Sequence, residues 1–244
     1  MLDIRRKNEH YRLRAGWLDA RWHFSFSEYY DPQNLQFGPL RVFNDDQIVG
    51  DSGFPMHPHQ EMEIVTMLQG GVLTHYDSVG NSGEIRPGQV QKMSAGTGIR
   101  HSEWNYGAEP VRLQQIWFLP GQRGLPPSYA QQDYSVTPDG ITIVASPWAM
   151  AGGVPIYQDV VLAVAERSAP LPYTLPAGRG LYLYAVSGDN AVNGEELRAG
   201  DAARVIDSEQ LTLAGSGRLL IIDVPVSDGA PRSTLLTPAA ASVR

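Results

Sequence analysis

Two histidines separated by one residue, His57 and His59, are the starting point for any chemistry in this chain. Side chains alternate between the two faces of a β-strand, so both imidazoles are expected on one face. Pro58 between them fixes a backbone torsion angle and stiffens the pair. Two imidazoles held side by side on a rigid strand make half of a transition-metal site.

A second pair with the same spacing, His101 and Glu103, offers the other half. If both pairs face one cavity, three nitrogens and one carboxylate oxygen converge. Imidazole suits iron, copper, nickel, zinc and manganese, and a carboxylate lowers the net charge of a bound dication. Four protein ligands on an octahedral ion leave two positions open for oxygen and a chelating substrate. The chain contains no cysteine, which excludes thiolate catalysis and cysteine-ligated zinc.

The overall charge limits the classes of partner. The net charge is −7 and the isoelectric point is about 5.3, whereas a nucleic-acid-binding surface is strongly basic. The one basic run, Arg5-Arg6-Lys7, is interpreted as part of a solvated arm. No signal peptide and no apolar segment of membrane-spanning length are apparent. We therefore expect a soluble cytoplasmic protein without direct nucleic-acid or membrane contacts.

The pattern of short apolar segments and turn residues predicts an all-β fold. The chain has 25 glycines and 18 prolines, which suits many turns. A typical segment is Glu63 to Gln69, which is rich in β-branched residues and stops at Gly70-Gly71. Many such strands predict a β-sandwich or jelly roll. A few short helices are expected near residues 126–132 and 147–152.

A weak internal repeat predicts two copies of one β architecture. Residues 85–90 and 197–202 share the pattern apolar-Arg-x-Gly-polar-apolar, each after a hairpin. A Pro- and Gly-rich linker is expected within residues 120–139. All six histidines (10, 23, 57, 59, 75 and 101) lie in the first half. We expect a metal-binding domain at 1–130, a second domain without metal ligands at 131–230, and a flexible tail at 231–244.

The pairs His57/His59 and His101/Glu103 also lie in recognisable motifs. One stretch resembles the first motif of the cupins: Gly53-xxx-His57-x-His59-xxx-Glu63-xxxxxx-Gly70. Its leading glycine is closer to the first histidine than is usual in that motif. A later stretch resembles the end of the second cupin motif: Gly98-xx-His101-xxx-Asn105.

A wider set of segments is similar to the pirin family. These segments are Gly16-Trp-Leu-Asp, Trp22-His-Phe-Ser-Phe, Tyr29-Tyr-Asp-Pro, His57-Pro-His59 and Ser94-Ala-Gly-Thr-Gly-Ile-Arg-His101-Ser-Glu103. The resemblance covers nearly all of residues 1–120 and, more loosely, the second half. It implies a bicupin, two cupin-type β-sandwich domains, with one divalent transition-metal ion in the first. Iron is the first expectation, with copper, manganese, nickel, cobalt and zinc as alternatives.

The resemblance also implies the ligand set His57, His59, His101 and Glu103. A common cupin would use the first-motif glutamate, here Glu63, and strand parity alone does not decide between the two acids. Glu63 therefore stays a candidate for a place beside the ligands. His75 and Asn105 are further candidates, either to contact the ligands from behind or to line the pocket wall.

The function implied by the resemblance is that of a quercetin 2,3-dioxygenase, which opens the ring of a flavonol with O2. A metal ion stabilises the oxyanion of the substrate, and a carboxylate, Glu103 or Glu63, accepts its proton. The alternative is a non-catalytic regulator that senses metal oxidation state and acts through a protein partner. A third, less specific hypothesis is a cupin isomerase or another enzyme that acts on a small molecule.

Overall fold

The computed structural model describes residues 1–166, 168–207, 210–227, 229 and 233–236, and nearly all of its regular structure is β-strand. Within these ranges the helical segments are two short 3-10 turns, Lys7–Glu9 and Thr234–Leu236. The strands in chain order are β1 Leu2–Arg5, β2 Tyr11–Arg14, β3 Leu18–Trp22, β4 Leu40–Ile48, β5 Ser52–His59, β6 Glu63–Gly70, β7 Leu73–Asp77, β8 Ser82–Ile85, β9 Gln89–Ser94, β10 Ile99–Asn105, β11 Val111–Phe118, β12 Ser128–Asp133, β13 Gly140–Pro147, β14 Val154–Ile156, β15 Val161–Glu166, β16 Leu171–Thr174, β17 Arg179–Ser187, β18 Asp189–Val192, β19 Glu195–Arg198, β20 Ala202–Ile206, β21 Gln210–Gly215 and β22 Arg218–Pro225.

The first compact unit comprises His10–Tyr134 and Val154–Gln158. Its larger sheet has the strand order β12-β9-β6-β11-β4-β3-β2, and its smaller sheet has the order β5-β10-β7-β8. Both sheets are antiparallel. Trp22 and Leu113 of the larger sheet share one buried cluster with Leu73 and Ile85 of the smaller sheet. The core therefore lies between two sheets, as in a β-sandwich.

The central strand β6 shows why these residues form strands. It lies between β9 and β11, so neighbouring strands pair with both of its edges. All residues from Glu63 to Leu68 are buried. The β-branched side chains of Ile64, Val65 and Thr66 suit a pleated strand that is covered on both faces.

The second compact unit comprises Met1–Glu9, Ser135–Gly153 and Asp159–Arg244. Within it, one sheet runs in the order β1-β20-β17-β22-β15-β13, and the other in the order β16-β21-β18-β19. Leu183 and Ile221 of the first of these sheets share a buried cluster with Leu197 and Leu213 of the other. The prediction of an all-β protein with two sandwich units is confirmed.

The compact units do not follow the expected division at residues 130 and 131. Residues 1–9 belong to the second unit, because β1 pairs with β20. The first unit extends to Tyr134, because β12 pairs with β9. Of the expected tail at 231–244, residues 233–236 are described, and the remainder lies outside the described residues.

Neither of the two expected helices forms at its expected position. Residues 128–133 form strand β12, because cross-strand pairing with β9 overrides the local preference of this Gln-rich segment. Residues 148–152 form turns after β13, and Trp148 and Ala149 adopt positive φ angles of 49° and 57° that an α-helix does not contain. In the described ranges, no helix has the length and apolar character that crossing a membrane requires.

Candidate metal centre

Strands β5 and β10 bring the two predicted pairs together. They are antiparallel neighbours, and His101 lies directly opposite His57 while Ile99 lies opposite His59. The register then shifts, so that Glu103 lies opposite Phe54 and β5 carries one extra residue. Such a β-bulge changes the direction in which nearby groups point. In this segment of β5, the carbonyl oxygen of Pro55 lies 2.7 Å from His57 Nδ1.

Gly53 and Gly98 allow this arrangement for different reasons. A Cβ at Gly53 would collide with the backbone carbonyl of Glu103 on the neighbouring strand, so only glycine permits the close approach of β5 and β10. Gly98 has a φ of +141° in the turn that leads into β10, a conformation that other residues rarely adopt.

The three imidazoles converge. The ring centroids are 4.5 Å apart for His57 and His101, 4.8 Å for His57 and His59, and 4.9 Å for His59 and His101. One ligand nitrogen from each ring lies within 4.8 Å of the other two. This spacing allows one ion to bind all three nitrogens, each at roughly 2 Å.

The protonation states suit metal binding. His57 Nδ1 contacts a carbonyl oxygen, to which it can only donate, so Nε2 is the nitrogen of this ring that is available to a metal ion. Burial, reinforced by the neighbouring imidazoles, lowers the pKa of His59 and of His101 to about 3, so both rings are neutral. Among the described residues, His59 Nε2 and His101 Nε2 are buried and have no hydrogen-bond partner. Buried lone pairs without a partner are what a metal ion would satisfy.

Glu103 is fully buried beside this trio. Its carboxylate accepts a hydrogen bond from Gln115 Nε2 at 2.6 Å and another from Thr66 Oγ1 at 3.4 Å. Burial raises the pKa of Glu103, while the nearby histidines and the hydrogen bonds oppose that rise. One carboxylate oxygen of Glu103 lies within 4.8 Å of nitrogens of His75 and His101, which form a second group able to hold a metal. His101 is common to both groups.

His75 is a direct neighbour of the candidate ligands. It is completely buried, and its Nδ1 lies 3.4 Å from His101 Nδ1. On its other side, Nε2 lies 3.5 Å from Asp77 Oδ2. A carboxylate behind a histidine fixes the orientation and the tautomer of that ring. His75 therefore orients His101 or supplies a nitrogen itself.

Glu63 and Asn105 have other surroundings. The Glu63 carboxylate lies 3.5 Å from Lys92 Nζ and accepts a hydrogen bond from Tyr157 N at 3.1 Å. The Asn105 amide Nδ2 donates to the carbonyls of Ile48, Val49 and Glu109. These hydrogen bonds connect the end of β10 to the end of β4 and to the segment before β11. Neither side chain is a member of the two groups of described residues that can hold a metal.

A cavity of about 320 Å³ adjoins the histidines. His57 and His59 form part of its wall, and most of the remaining wall is apolar and aromatic. The lining residues are Leu13, Trp17, Leu18, Trp22, Phe26, Ser27, Glu28, Asn44, Asp46, Phe54, His57, His59, Gln115 and Trp117. This volume lies at the lower end of the range for small-molecule sites.

Sequence reasoning missed several of these residues. Gln115 and Thr66, which bind Glu103, and the cavity residues Asn44 and Asp46 were not identified as site candidates. A usable signal was present for the last two, because they occupy consecutive inward positions of β4, whose other inward residues Leu40, Val42 and Ile48 are apolar. Gln115 gave no such signal, because the adjacent residue Gln114 has the same side chain.

Comparisons with known proteins agree with this architecture. The pirin family profile matches residues 4–118, and the profile described as "Quercetinase C-terminal cupin domain" matches residues 143–224. A putative quercetin 2,3-dioxygenase of Pseudomonas aeruginosa is 41% identical over 216 residues, which cover 86% of this chain and 93% of the relative. A quercetin 2,3-dioxygenase of Escherichia coli K12 is 37% identical over 234 residues, 92% of this chain and 99% of the relative.

The fold has a similar counterpart among solved structures. A bacterial pirin from Escherichia coli in complex with nickel(II) superposes with a TM-score of 0.88 at 36% identity, and covers 93% of this chain and 100% of that chain. Because this identity spans nearly the whole length of the chain, it includes both sandwich units. The chain belongs to the pirin family, and its two sandwich units form a bicupin.

Proposed function

We propose that this chain is a metal-dependent dioxygenase of the pirin type, which opens the ring of a flavonol or of a similar chelating enol with O2. The observation that carries the proposal is the convergence of three imidazoles beside an aromatic cavity, with two buried Nε2 atoms that lack a protein partner within the described ranges. The names of the relatives and the nickel(II) complex of the Escherichia coli pirin support it.

The proposed ligands are His57, His59, His101 and Glu103, which would hold one divalent transition-metal ion. Three nitrogens and one carboxylate accept several such ions. Iron remains the first expectation, and the nickel-bound relative supports nickel as a direct competitor. A bound dication would stabilise the oxyanion of a chelating substrate and provide the redox partner for O2.

The protein side chains contribute orientation, desolvation and a proton acceptor. The aromatic wall of Trp17, Trp22 and Trp117 favours a flat aromatic substrate and excludes water from it. Glu103 is the proposed acceptor of the substrate hydroxyl proton, because burial raises its pKa toward the range useful for a general base. Glu63 is not given this role, since its carboxylate pairs with Lys92.

The decisive experiment measures O2 consumption by protein that is loaded without oxygen with iron(II), nickel(II), copper(II), manganese(II) or cobalt(II), one metal at a time. With quercetin present, at least one metal form is expected to consume O2 in step with the loss of flavonol absorbance. If every metal form binds its ion and none consumes O2 with a flavonol, the proposed activity is wrong.

Variants assign the roles. His59→Ala and His101→Ala are expected to lose bound metal and turnover together, as measured by elemental analysis and O2 uptake. Gln60→Ala is the matched control, because Gln60 is the exposed neighbour of His59. Glu103→Gln keeps the shape of the side chain, and we expect it to lower kcat by about 100-fold, the usual contribution of a general base.

A further inference from the structure

Two polar side chains, Asn44 and Asp46, interrupt the apolar inner face of β4. They occupy positions i and i+2, so they point the same way, and both line the 320 Å³ cavity. Each is only 3% exposed. The neighbouring inward residue of the same strand, Ile48, is apolar and completely buried.

Both side chains carry an unsatisfied atom. In the part of the chain that the structure describes, Asn44 Oδ1 and Asp46 Oδ1 are buried and have no hydrogen-bond partner. A buried polar atom without a partner lowers the stability of a folded protein, so such atoms are normally paired. Two of them on one cavity wall indicate a partner that is supplied by a ligand.

The pair is next to the candidate metal centre. Asn44 lies directly opposite Gln115 in the pairing of β4 with β11, so their side chains are cross-strand neighbours on one face. Gln115 in turn donates a hydrogen bond to Glu103. A flat ligand bound at the histidines would therefore pass along the Asn44 side of the cavity.

Asp46 can act as a donor as well as an acceptor. Burial, together with the carboxylates of Asp45 and Glu103, raises the pKa of Asp46 well above its ordinary value. A neutral carboxyl group offers one O–H donor in addition to its acceptor oxygens. Asn44 and Asp46 can thus pair with either a hydroxyl or a carbonyl of a ligand.

We propose that Asn44 and Asp46 form a second recognition point, which binds a hydroxyl or carbonyl group of an aromatic ligand remote from the oxygens that face the histidines. This inference rests on the proposed function of the same site and adds a determinant of substrate choice. It selects polyhydroxylated aromatic substrates over apolar ones with the same chelating group.

The test compares two flavonols, quercetin and 3-hydroxyflavone, which share the chelating hydroxyl and carbonyl but differ in their remaining hydroxyl groups. Dissociation constants are measured on metal-loaded protein with O2 excluded, by quenching of tryptophan fluorescence. Wild-type protein is expected to prefer quercetin by about tenfold or more, the effect of one or two hydrogen bonds to a buried site.

Asn44→Leu and Asp46→Leu are expected to abolish this preference by weakening quercetin binding and leaving the affinity for 3-hydroxyflavone unchanged. Both variants should keep their metal, and their melting temperatures should stay level or rise, because each removes an unsatisfied buried atom. A purely structural role would instead lower the melting temperature. Gln47→Leu, on the opposite face of β4, is the matched control.

Each outcome separates the two proposals. If both leucine variants keep the wild-type preference, or if wild-type protein does not discriminate between the ligands, the recognition point is wrong and the proposed activity is unaffected. If metal-loaded wild-type protein binds neither flavonol, the proposed function fails, and the recognition point fails with it.

Discussion

The carboxylate of Glu63 lies 3.5 Å from Lys92 Nζ, and both side chains are almost completely buried. Lys92 also contacts Ser94 Oγ and lies 4.3 Å from the centre of the Tyr157 ring. Glu63 occupies the position of the first-motif glutamate that a common cupin would use as a metal ligand. In this chain a buried lysine binds that glutamate.

Lys92→Met is expected to lower the free energy of unfolding by about 3 to 5 kcal/mol, because it leaves the Glu63 carboxylate buried without a counter-charge. Urea unfolding monitored by circular dichroism measures the change. The double variant Glu63→Gln with Lys92→Met should recover part of the loss. Unchanged stability of the single variant would show that the pair contributes nothing. Neither variant should lose bound metal.

Gly53→Ala is expected to weaken metal binding by about tenfold or more, because its methyl group would push the backbone of Glu103 and Trp104 away from β5. Competition with a chelator measures the affinity. The matched control is Gly70→Ala, since a Cβ at Gly70 meets no atom within 4 Å. Equal metal affinity of the two variants would argue against a tight requirement for glycine at residue 53.

Gln115 is a positioning residue for Glu103. Its Nε2 donates to Glu103 at 2.6 Å, and its Oε1 accepts a hydrogen bond from Trp117 Nε1 at 3.2 Å, which fixes the orientation of the amide. Gln115→Leu is expected to lower metal affinity, or kcat of the proposed reaction, by about 10- to 100-fold, as is typical when the support of a metal ligand, the role proposed for Glu103, is removed.

Gln114→Leu is the matched control for that experiment. Gln114 is equally buried on the same strand, but its amide lies 3.3 Å from Asp45 Oδ1 instead of contacting Glu103. A chelator titration and steady-state kinetics on both variants separate the two positions. If the losses are the same in both, orientation of Glu103 by Gln115 is not their cause.

Asp201 is expected to make the stability of the second unit depend on pH. Burial alone would raise its pKa, but hydrogen bonds from Arg6 Nη1, Lys7 N and Arg198 N lower it below the ordinary value of 3.8. A lowered folded-state pKa stabilises the protein above the unfolded value, and this contribution disappears as the pH falls through the folded-state value.

Asp201→Asn is therefore expected to cost about 1 to 3 kcal/mol at pH 7 and progressively less below pH 3.8. Urea unfolding of both proteins between pH 7 and pH 3 gives the difference at each pH. A difference that stays constant over this interval would exclude the ionised carboxylate as its source.

The part of the site that was predictable from sequence is the part that strand periodicity controls. His57 and His59 share a face because they are two residues apart, and His101 lies beside them because β5 and β10 are paired. The all-β fold followed from turn residues and apolar segments for the same reason. These features depend on local spacing, which a sequence displays directly.

The parts that were not predictable depend on which strands become neighbours. Glu63 pairs with Lys92 because β6 lies beside β9, and Asn44 adjoins Gln115 because β4 lies beside β11. Residues 128–133 form a strand only because β9 provides a partner. Spacing along one strand contains no information on such partners. Strand periodicity therefore leaves two candidates, Glu63 and Glu103, for the acid beside the histidines.

The placement of β1 has a practical consequence for dissecting the protein. This strand is encoded at the start of the chain but completes the sheet of the second unit by pairing with β20. A C-terminal fragment cut at the expected boundary would lack it and would present the backbone edge of β20 to other molecules, which promotes aggregation. A stable second half would need residues 1–9 supplied separately or grafted through a circular permutation.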